Sequence, residues 1–88
     1  MSRQRSKEVI ESSEYVTIGE LVRLIGVRYS TLKFYTEEGM LPFEQAEQNL
    51  TRRYRREQSV DRLIFIKNLK AQGYTIPEIK RALSDQQQ

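Results

Sequence analysis

Gly26-Val27-Arg28-Tyr29-Ser30-Thr31-Leu32-Lys33-Phe34-Tyr35-Thr36-Glu37-Glu38-Gly39 is a helix-length run bracketed by two glycines. Leu32 and Tyr35 stand three apart and, with Val27, form the side expected to turn inward on a helix from about Tyr29 to Glu38. Tyr29, Ser30 and Lys33 fall on the outer side, because residues three and four apart are neighbours on a helix surface. Upstream, Thr17 and Glu20 have capping-box spacing, and Ile18, Leu21, Val22 and Ile25 repeat at i, i+3, i+4 and i+7. That pattern predicts an amphipathic helix stopped at Gly26. Two helices joined by so short a turn form a helix-turn-helix, in which the first braces the second and leaves its outer side free to enter a major groove.

Beyond Gly39, Met40-Leu41-Pro42 is expected to leave as an extended segment, since the residue before proline avoids helical geometry. Phe43 to Leu50 is polar and turn-like, with Asn49 as a turn residue, and Thr51 to Arg55 can return as a strand. A short hairpin after two helices is how a wing reads in sequence. A third helix is predicted from about Glu57 to Gln72, with Val60, Leu63, Ile66 or Lys67, and Leu69 or Lys70 along one side. Ile64 and Phe65 widen its apolar face. They are expected to be buried beneath the first and fourth helices, the alternative being a patch for a partner. Gly73 ends that helix. Thr75 and Glu78 form a second capping box with Pro77 in the first turn, and Ile76, Ile79, Ala82 and Leu83 form the inner face of a fourth helix. The expected fold is mainly α: a winged helix-turn-helix of four helices, with a short β-hairpin wing between helices two and three. Residues 1–14, polar apart from Val9 and Ile10, are expected to be a flexible arm with at most a frayed helical turn, 15–83 the domain and 84–88 a disordered polar tail.

Eighty-eight residues leave room for one modest core. Cysteine and histidine are both absent, which removes disulfides, thiolate chemistry, imidazole catalysis and most transition-metal sites. No glycine-rich phosphate loop and no paired-acid motif is present, so no enzyme activity and no cofactor is expected. No apolar run has the length of a membrane span or a signal-peptide core, and a cytoplasmic setting follows as the simplest expectation. The formal charge is only +3, with an isoelectric point of about 9.4. Distribution carries more than the total. Six basic residues lie between Arg28 and Arg56, four of them within Thr51-Arg52-Arg53-Tyr54-Arg55-Arg56. Positive potential in two patches suits a face that approaches phosphate twice.

The candidate DNA-binding residues are therefore Arg28, Tyr29, Ser30, Lys33 and Tyr35 on and before the second helix, and Arg52, Arg53 and Tyr54 in the wing. Lys33 and Arg28 can reach phosphate or guanine acceptors, Ser30 can bond base edges or backbone, and Tyr29 can meet a thymine methyl or a phosphate. Tyr35 is half structural, an inward aromatic whose hydroxyl can emerge at an edge. Strand alternation sends Arg53 and Arg55 to one side and Arg52 and Tyr54 to the other, so that one set can meet the phosphates while Tyr54 packs under the wing. A solvated patch or a nuclear-import signal are the rival readings of the arginines, and the second fits poorly in mid-domain.

Tyr15-Val-Thr-Ile-Gly-Glu-Leu21, Gly26-Val27, Thr31-Leu-Lys-Phe-Tyr35, Glu38-Gly-Met-Leu-Pro42, Arg52-Arg-Tyr54 and the run from Leu63 to Lys67 through Gly73 to Lys80 resemble the DNA-binding domain of the MerR family of bacterial regulators. The resemblance spans about Tyr15 to Leu83. It implies major-groove insertion by the second helix, with Arg52-Arg53-Tyr54 gripping the flanking backbone. It also implies a double-stranded, pseudo-palindromic DNA partner and homodimers in longer members; as an isolated domain the chain is expected to be a monomer. Arg28 stands where the family commonly has a serine N-cap, and Ser30 where it commonly has arginine, so base preference should differ. One residue more than usual separates Tyr54 from the third helix's apolar stripe. The family's long dimerisation helix, effector region and metal-sensing cysteines have no counterpart in this chain, which points to an excised N-terminal domain or a short stand-alone member. The function implied is a sequence-specific transcriptional regulator. The alternatives are a DNA-bending excision factor of a mobile element and, less favoured, a protein-interaction module built on the third helix.

Overall fold

A computed structural model of the chain describes residues 5–47 and 50–86. The element order is α1 (Lys7–Ser12), β1 (Tyr15–Val16), α2 (Ile18–Ile25), α3 (Tyr29–Glu37), β2 (Tyr54–Arg55), α4 (Arg56–Ala71) and α5 (Ile76–Gln86). The helix-turn-helix is α2 and α3, joined through Gly26, Val27 and Arg28. Local chemistry sets its ends. Thr17 Oγ1 accepts the Glu20 N–H while the Glu20 carboxylate accepts the Thr17 N–H, so both halves of the capping box are made. Gly26 closes α2 at φ 68°, in the left-handed region that a side chain disfavours. Gly39 closes α3 at φ 76°. There the Met40 N–H bonds to the Tyr35 carbonyl at 2.8 Å and the Gly39 N–H to that of Thr36 at 3.2 Å, the paired bonds of a Schellman cap. Thr75 and Glu78 form the second capping box, at the start of α5.

The core gathers Leu21 of α2, Leu32 and Tyr35 of α3, Met40, Leu41, Val16, Tyr54, Leu63 and Ile66 of α4, and Ile79 and Leu83 of α5. Leu21, Leu32, Tyr35, Leu63, Ile66, Ile79 and Leu83 are the inward residues of the predicted helices. Ile64 differs. It is 48% exposed, because it sits about 100° round the helix from Leu63 and outside the arc that the other helices cover. Phe65 is only partly buried against the core.

Three elements depart from the expected four-helix plan. Residues 7–12, predicted as part of a flexible arm, form α1, and Ile10 has no exposed surface. Ser6 caps α1 by accepting the Val9 N–H, and Arg5 forks onto Glu20 with bonds of 2.6 and 2.7 Å. Arg23 in turn donates to the Arg5 carbonyl at 2.7 Å. The amphipathic signal was too short to read: one buried isoleucine in a short, mostly polar turn and a half.

The sheet is the second departure. Tyr54 and Arg55 do return as a strand, but their antiparallel partner is Val16 and Tyr15, not the segment after Pro42. Among the described residues the hairpin proper is a single bridge, Glu44 with Arg53, whose two backbone bonds measure 2.7 and 2.8 Å. Asn49, the expected turn residue, lies outside the described residues. At the third departure, α4 begins directly after β2 with Arg55 as N-cap, and that side chain makes no capping bond. The Arg56 N–H instead bonds to the Glu14 carbonyl at 2.9 Å, so the strand's neighbour satisfies the helix start. Ser84 and Asp85, expected in the disordered tail, belong to α5.

Ile10→Ala should lower stability by about 2–5 kcal/mol, moving the thermal midpoint down by roughly 10 °C or more; an unchanged melt would restore the arm. Glu20 supplies a pH signature. The Arg5 guanidinium first, and the Thr17 N–H after it, hold its carboxyl below the usual range against the opposing effect of burial. A depressed carboxyl adds stability that is complete above its ordinary value of about 4.3 and is lost as pH falls through the lowered folded value. Glu20→Gln should therefore be less stable than wild type near neutrality, with the gap closing in acid, as urea denaturation across pH will show.

Candidate nucleic-acid interface

Tyr29, Lys33 and Glu37 repeat at every fourth residue of α3 and form one stripe. The stripe borders a shallow groove of about 400 Å³, closed on the other side by the wing residues Gln45, Leu50, Thr51 and Arg52. Tyr29 is 53% exposed. Arg28 and Ser30 are exposed at the head of the same helix. The extended backbone of Arg28 (φ −62°, ψ 144°) starts α3, yet its side chain makes no capping bond. Thus the end of the helix that carries unpaired N–H groups and positive dipole also carries a guanidinium with no partner among the described residues, and both favour an anion.

The four arginines of the wing, equal in sequence, are unequal in the structure. Arg52 is the tethered one. Its Nη1 donates to Glu37 Oε1 at 3.2 Å, and its guanidinium lies over the Phe43 ring at 4.7 Å. Arg55 lies over the Tyr15 ring at 5.5 Å, 3.4 Å from Glu44 and 3.9 Å from Glu14. Arg56 donates to the Ser13 carbonyl at 2.7 Å and lies 3.8 Å from Glu57. Arg53 is exposed, and its side chain has no partner among the described residues. Alternation does place the pairs as expected. Arg52 lines the α3 groove, whereas Arg53 lines a neighbouring depression with Arg5, Tyr15, Thr17 and Glu20 at the N-terminus of α2. Tyr15 donates to Glu44 at 2.9 Å, and this bond is the leading cause that raises its phenol; the nearby Arg55 shares the same carboxylate.

Two of the expected contact residues are structural instead. Tyr54 has no exposed surface. Its hydroxyl lies 2.9 Å from Thr36 Oγ1, which in turn donates to the Leu32 carbonyl at 2.9 Å. Since the threonine has one hydroxyl proton and gives it to Leu32, the phenol donates to Thr36. Tyr54 therefore lies at the floor of the groove, beneath the wing, with no surface open to solvent. Tyr35 is 5% exposed, its ring packed in the core at 6.0 Å from that of Phe34. The structure thus brings Tyr29, Lys33 and Arg52 to one groove, keeps Arg28 and Ser30 beside it, sets Arg53 on the adjoining flank and withdraws Tyr35 and Tyr54. Glu37 is the groove residue that the sequence reading missed. The same four-residue step that selects Lys33 from Tyr29 would have found it. The Thr36–Tyr54 link has no sequence signal.

A family model described as MerR HTH family regulatory protein matches residues 16–86. A SoxR homolog of Chromobacterium violaceum, named as an HTH-type transcriptional activator, is 39% identical over 70 residues, covering 80% of this chain and 46% of that protein. The mercuric resistance operon regulatory protein of Bacillus cereus is 38% identical over 66 residues, 75% of this chain and 49% of its own length. The HTH-type transcriptional regulator CueR of Bacillus subtilis is 36% identical over 77 residues, 88% and 52% respectively. The chain spans about half the length of these curated relatives. No solved structure matches significantly.

Removing one end of the buried hydroxyl pair should cost less than removing the other. Tyr54→Phe leaves Thr36 bonded to Leu32 and should cost about 1 kcal/mol, whereas Thr36→Val strands a buried phenol donor and should cost about 1–3 kcal/mol. Urea denaturation of both variants decides it, and the reverse ranking would overturn the assignment of the phenol as donor.

Proposed function

The chain belongs to the MerR family of helix-turn-helix regulatory proteins, and from that premise we propose that it is a sequence-specific DNA-binding transcriptional regulator, or the DNA-binding part of one. The observation that carries this reading is the shared groove, in which Tyr29 and Lys33 of α3 face Arg52 of the wing. In the proposed mode α3 enters the major groove with Tyr29, Ser30 and Lys33 toward the base edges, the placement of a recognition helix. Arg28 and the N-terminal turn of α3 meet phosphate where the helix enters. Arg52 takes a phosphate beside the groove. Arg53, next to the N-terminus of α2, takes the flanking one. Tyr54 and Tyr35 touch no DNA and hold the two elements at fixed separation.

The family is one of regulators, not enzymes. The names of the relatives describe a transcriptional activator and operon regulators, and the partner proposed for this chain is likewise double-stranded DNA. A pseudo-palindromic site bound by two copies is the matching proposal for the whole protein, because a two-fold pair of reading helices needs two half-sites about one helical turn apart.

Arg53→Ala should weaken binding to every duplex alike and make the slope of log K against log salt shallower by about 0.9, the loss of one phosphate contact. Lys33→Ala should instead change which sequence is preferred, by about 1–3 kcal/mol at the base pair it meets. Salt titrations by fluorescence anisotropy, with a duplex selected from a random pool and a shuffled duplex of the same composition, separate the two effects. An Arg53→Ala slope equal to wild type would sink the wing's phosphate role.

A further inference from the structure

Glu37 has no evident reason to be where it is on grounds of helix stability. It is the last residue of α3, where the helix dipole disfavours a carboxylate. Its bond to Arg52 is exposed, with 54% of the Glu37 and 36% of the Arg52 side-chain surface open to solvent. A pair so exposed adds little stability. Yet it stands on the same stripe as Tyr29 and Lys33, in the groove that the duplex is proposed to fill. A negative charge there opposes phosphate, and it is aimed at the one wing arginine that faces the reading helix.

We infer that Glu37 is a specificity-determining residue, acting by holding Arg52 against α3 and thereby withholding it from phosphates that approach out of register. This rests on the DNA-binding reading above. The guanidinium is fixed from two directions, by the Glu37 carboxylate at 3.2 Å and by the Phe43 ring at 4.7 Å. Only one of its five N–H donors is given to Glu37. A phosphate that arrives where the seated α3 places it can take other donors while the tether persists. A phosphate displaced by sliding must pull Arg52 away from both partners and approach the carboxylate as well. Non-specific binding, which depends almost wholly on such phosphate contacts, bears the larger penalty. Glu37 therefore lowers affinity for all DNA but lowers it most for the wrong DNA. Sequence discrimination gains by the difference, an arrangement in which a repulsive group contributes as much as an attractive one.

The test compares the 88-residue chain with Glu37→Gln, which keeps the shape and the acceptor but removes the charge. Each binds the selected duplex and the shuffled duplex across a salt series. Affinity of Glu37→Gln for the shuffled duplex should rise by up to about fivefold at low salt, with a slope steeper by about 0.9. Affinity for the selected duplex should rise less, so the ratio between the two narrows. In an Arg52→Gln background the same replacement should narrow the ratio much less, since the tether has nothing to hold and only the direct repulsion of phosphate is removed. Equal gains on both duplexes, or a ratio that narrows equally without Arg52, would overturn the inference while leaving the DNA-binding reading intact. A wild-type chain that binds neither duplex at low salt would overturn both. Matching thermal melts of the variants confirm that binding and not folding is being read.

Discussion

The phenol of Tyr54 is the pin on which the rest of the domain turns. It is wholly buried, and its hydroxyl bonds to Thr36 at the far end of α3, 18 residues earlier in the chain. A buried donor without a partner is expensive, so this bond allows the wing strand one depth and one register. With Tyr54 fixed, Val16 pairs opposite it and Tyr15 opposite Arg55. That pairing places Thr17, and Thr17 begins α2. The first helix of the helix-turn-helix, the second helix and the wing are thus referred to a single side chain. The alternation of a strand then sends Arg52 toward the α3 groove and Arg53 toward the start of α2. A tyrosine that sequence alone groups with the arginines is better understood as the part that aims them.

Charge in this molecule is arranged by what remains unpaired. Arg55 and Arg56 are engaged with Glu44, Glu14, Glu57 and the Ser13 carbonyl, and the contacts to Glu14 and Ser13 fasten β2 and α4 to the chain before β1. Arg5 is spent on Glu20. Arg28, Lys33 and Arg53 are left outward, and Arg52 is held in reserve by Glu37. A formal charge of +3 therefore understates how positive the outer face of α3 is, and the count of arginines in the wing overstates it. The same logic explains why α1 belongs to the domain. Ile10 covers core that two short helices would otherwise leave wet, and Arg5 locks the cap of α2 from outside.

Much of this architecture is written locally and can be read from the chain. Capping boxes at Thr17 and Thr75, glycines after three helices and the spacing of Leu21, Leu32, Leu63, Ile66, Ile79 and Leu83 each depend on near neighbours, and the helices they imply are the ones observed. Whatever depends on distant pairing stays hidden. Tyr15-Val16 is too short to announce a strand, and its partner is on the far side of the helix-turn-helix. The role of Tyr54 turns on Thr36, and the role of Arg52 turns on Glu37, neither of which a local pattern connects. At the site, the outer face of α3 was legible because helical arithmetic fixes it. The same arithmetic turns Tyr29 outward and Tyr35 inward; what it does not show is the hydroxyl partner of the tyrosine under the wing. Tyr29 is exposed while Tyr35 and Tyr54 are buried.

The central claim is that α3 and the wing form one DNA-facing surface, aimed by a buried tyrosine that never touches the duplex. Amide chemical-shift mapping of the chain titrated with the selected duplex tests it most directly. The account predicts that the largest shifts fall on residues 28–33 and 51–53, with a second group at 17–20, and that α5 and the Ile64 side of α4 stay still. Shifts centred on α4 or α5, with α3 unmoved, would contradict it.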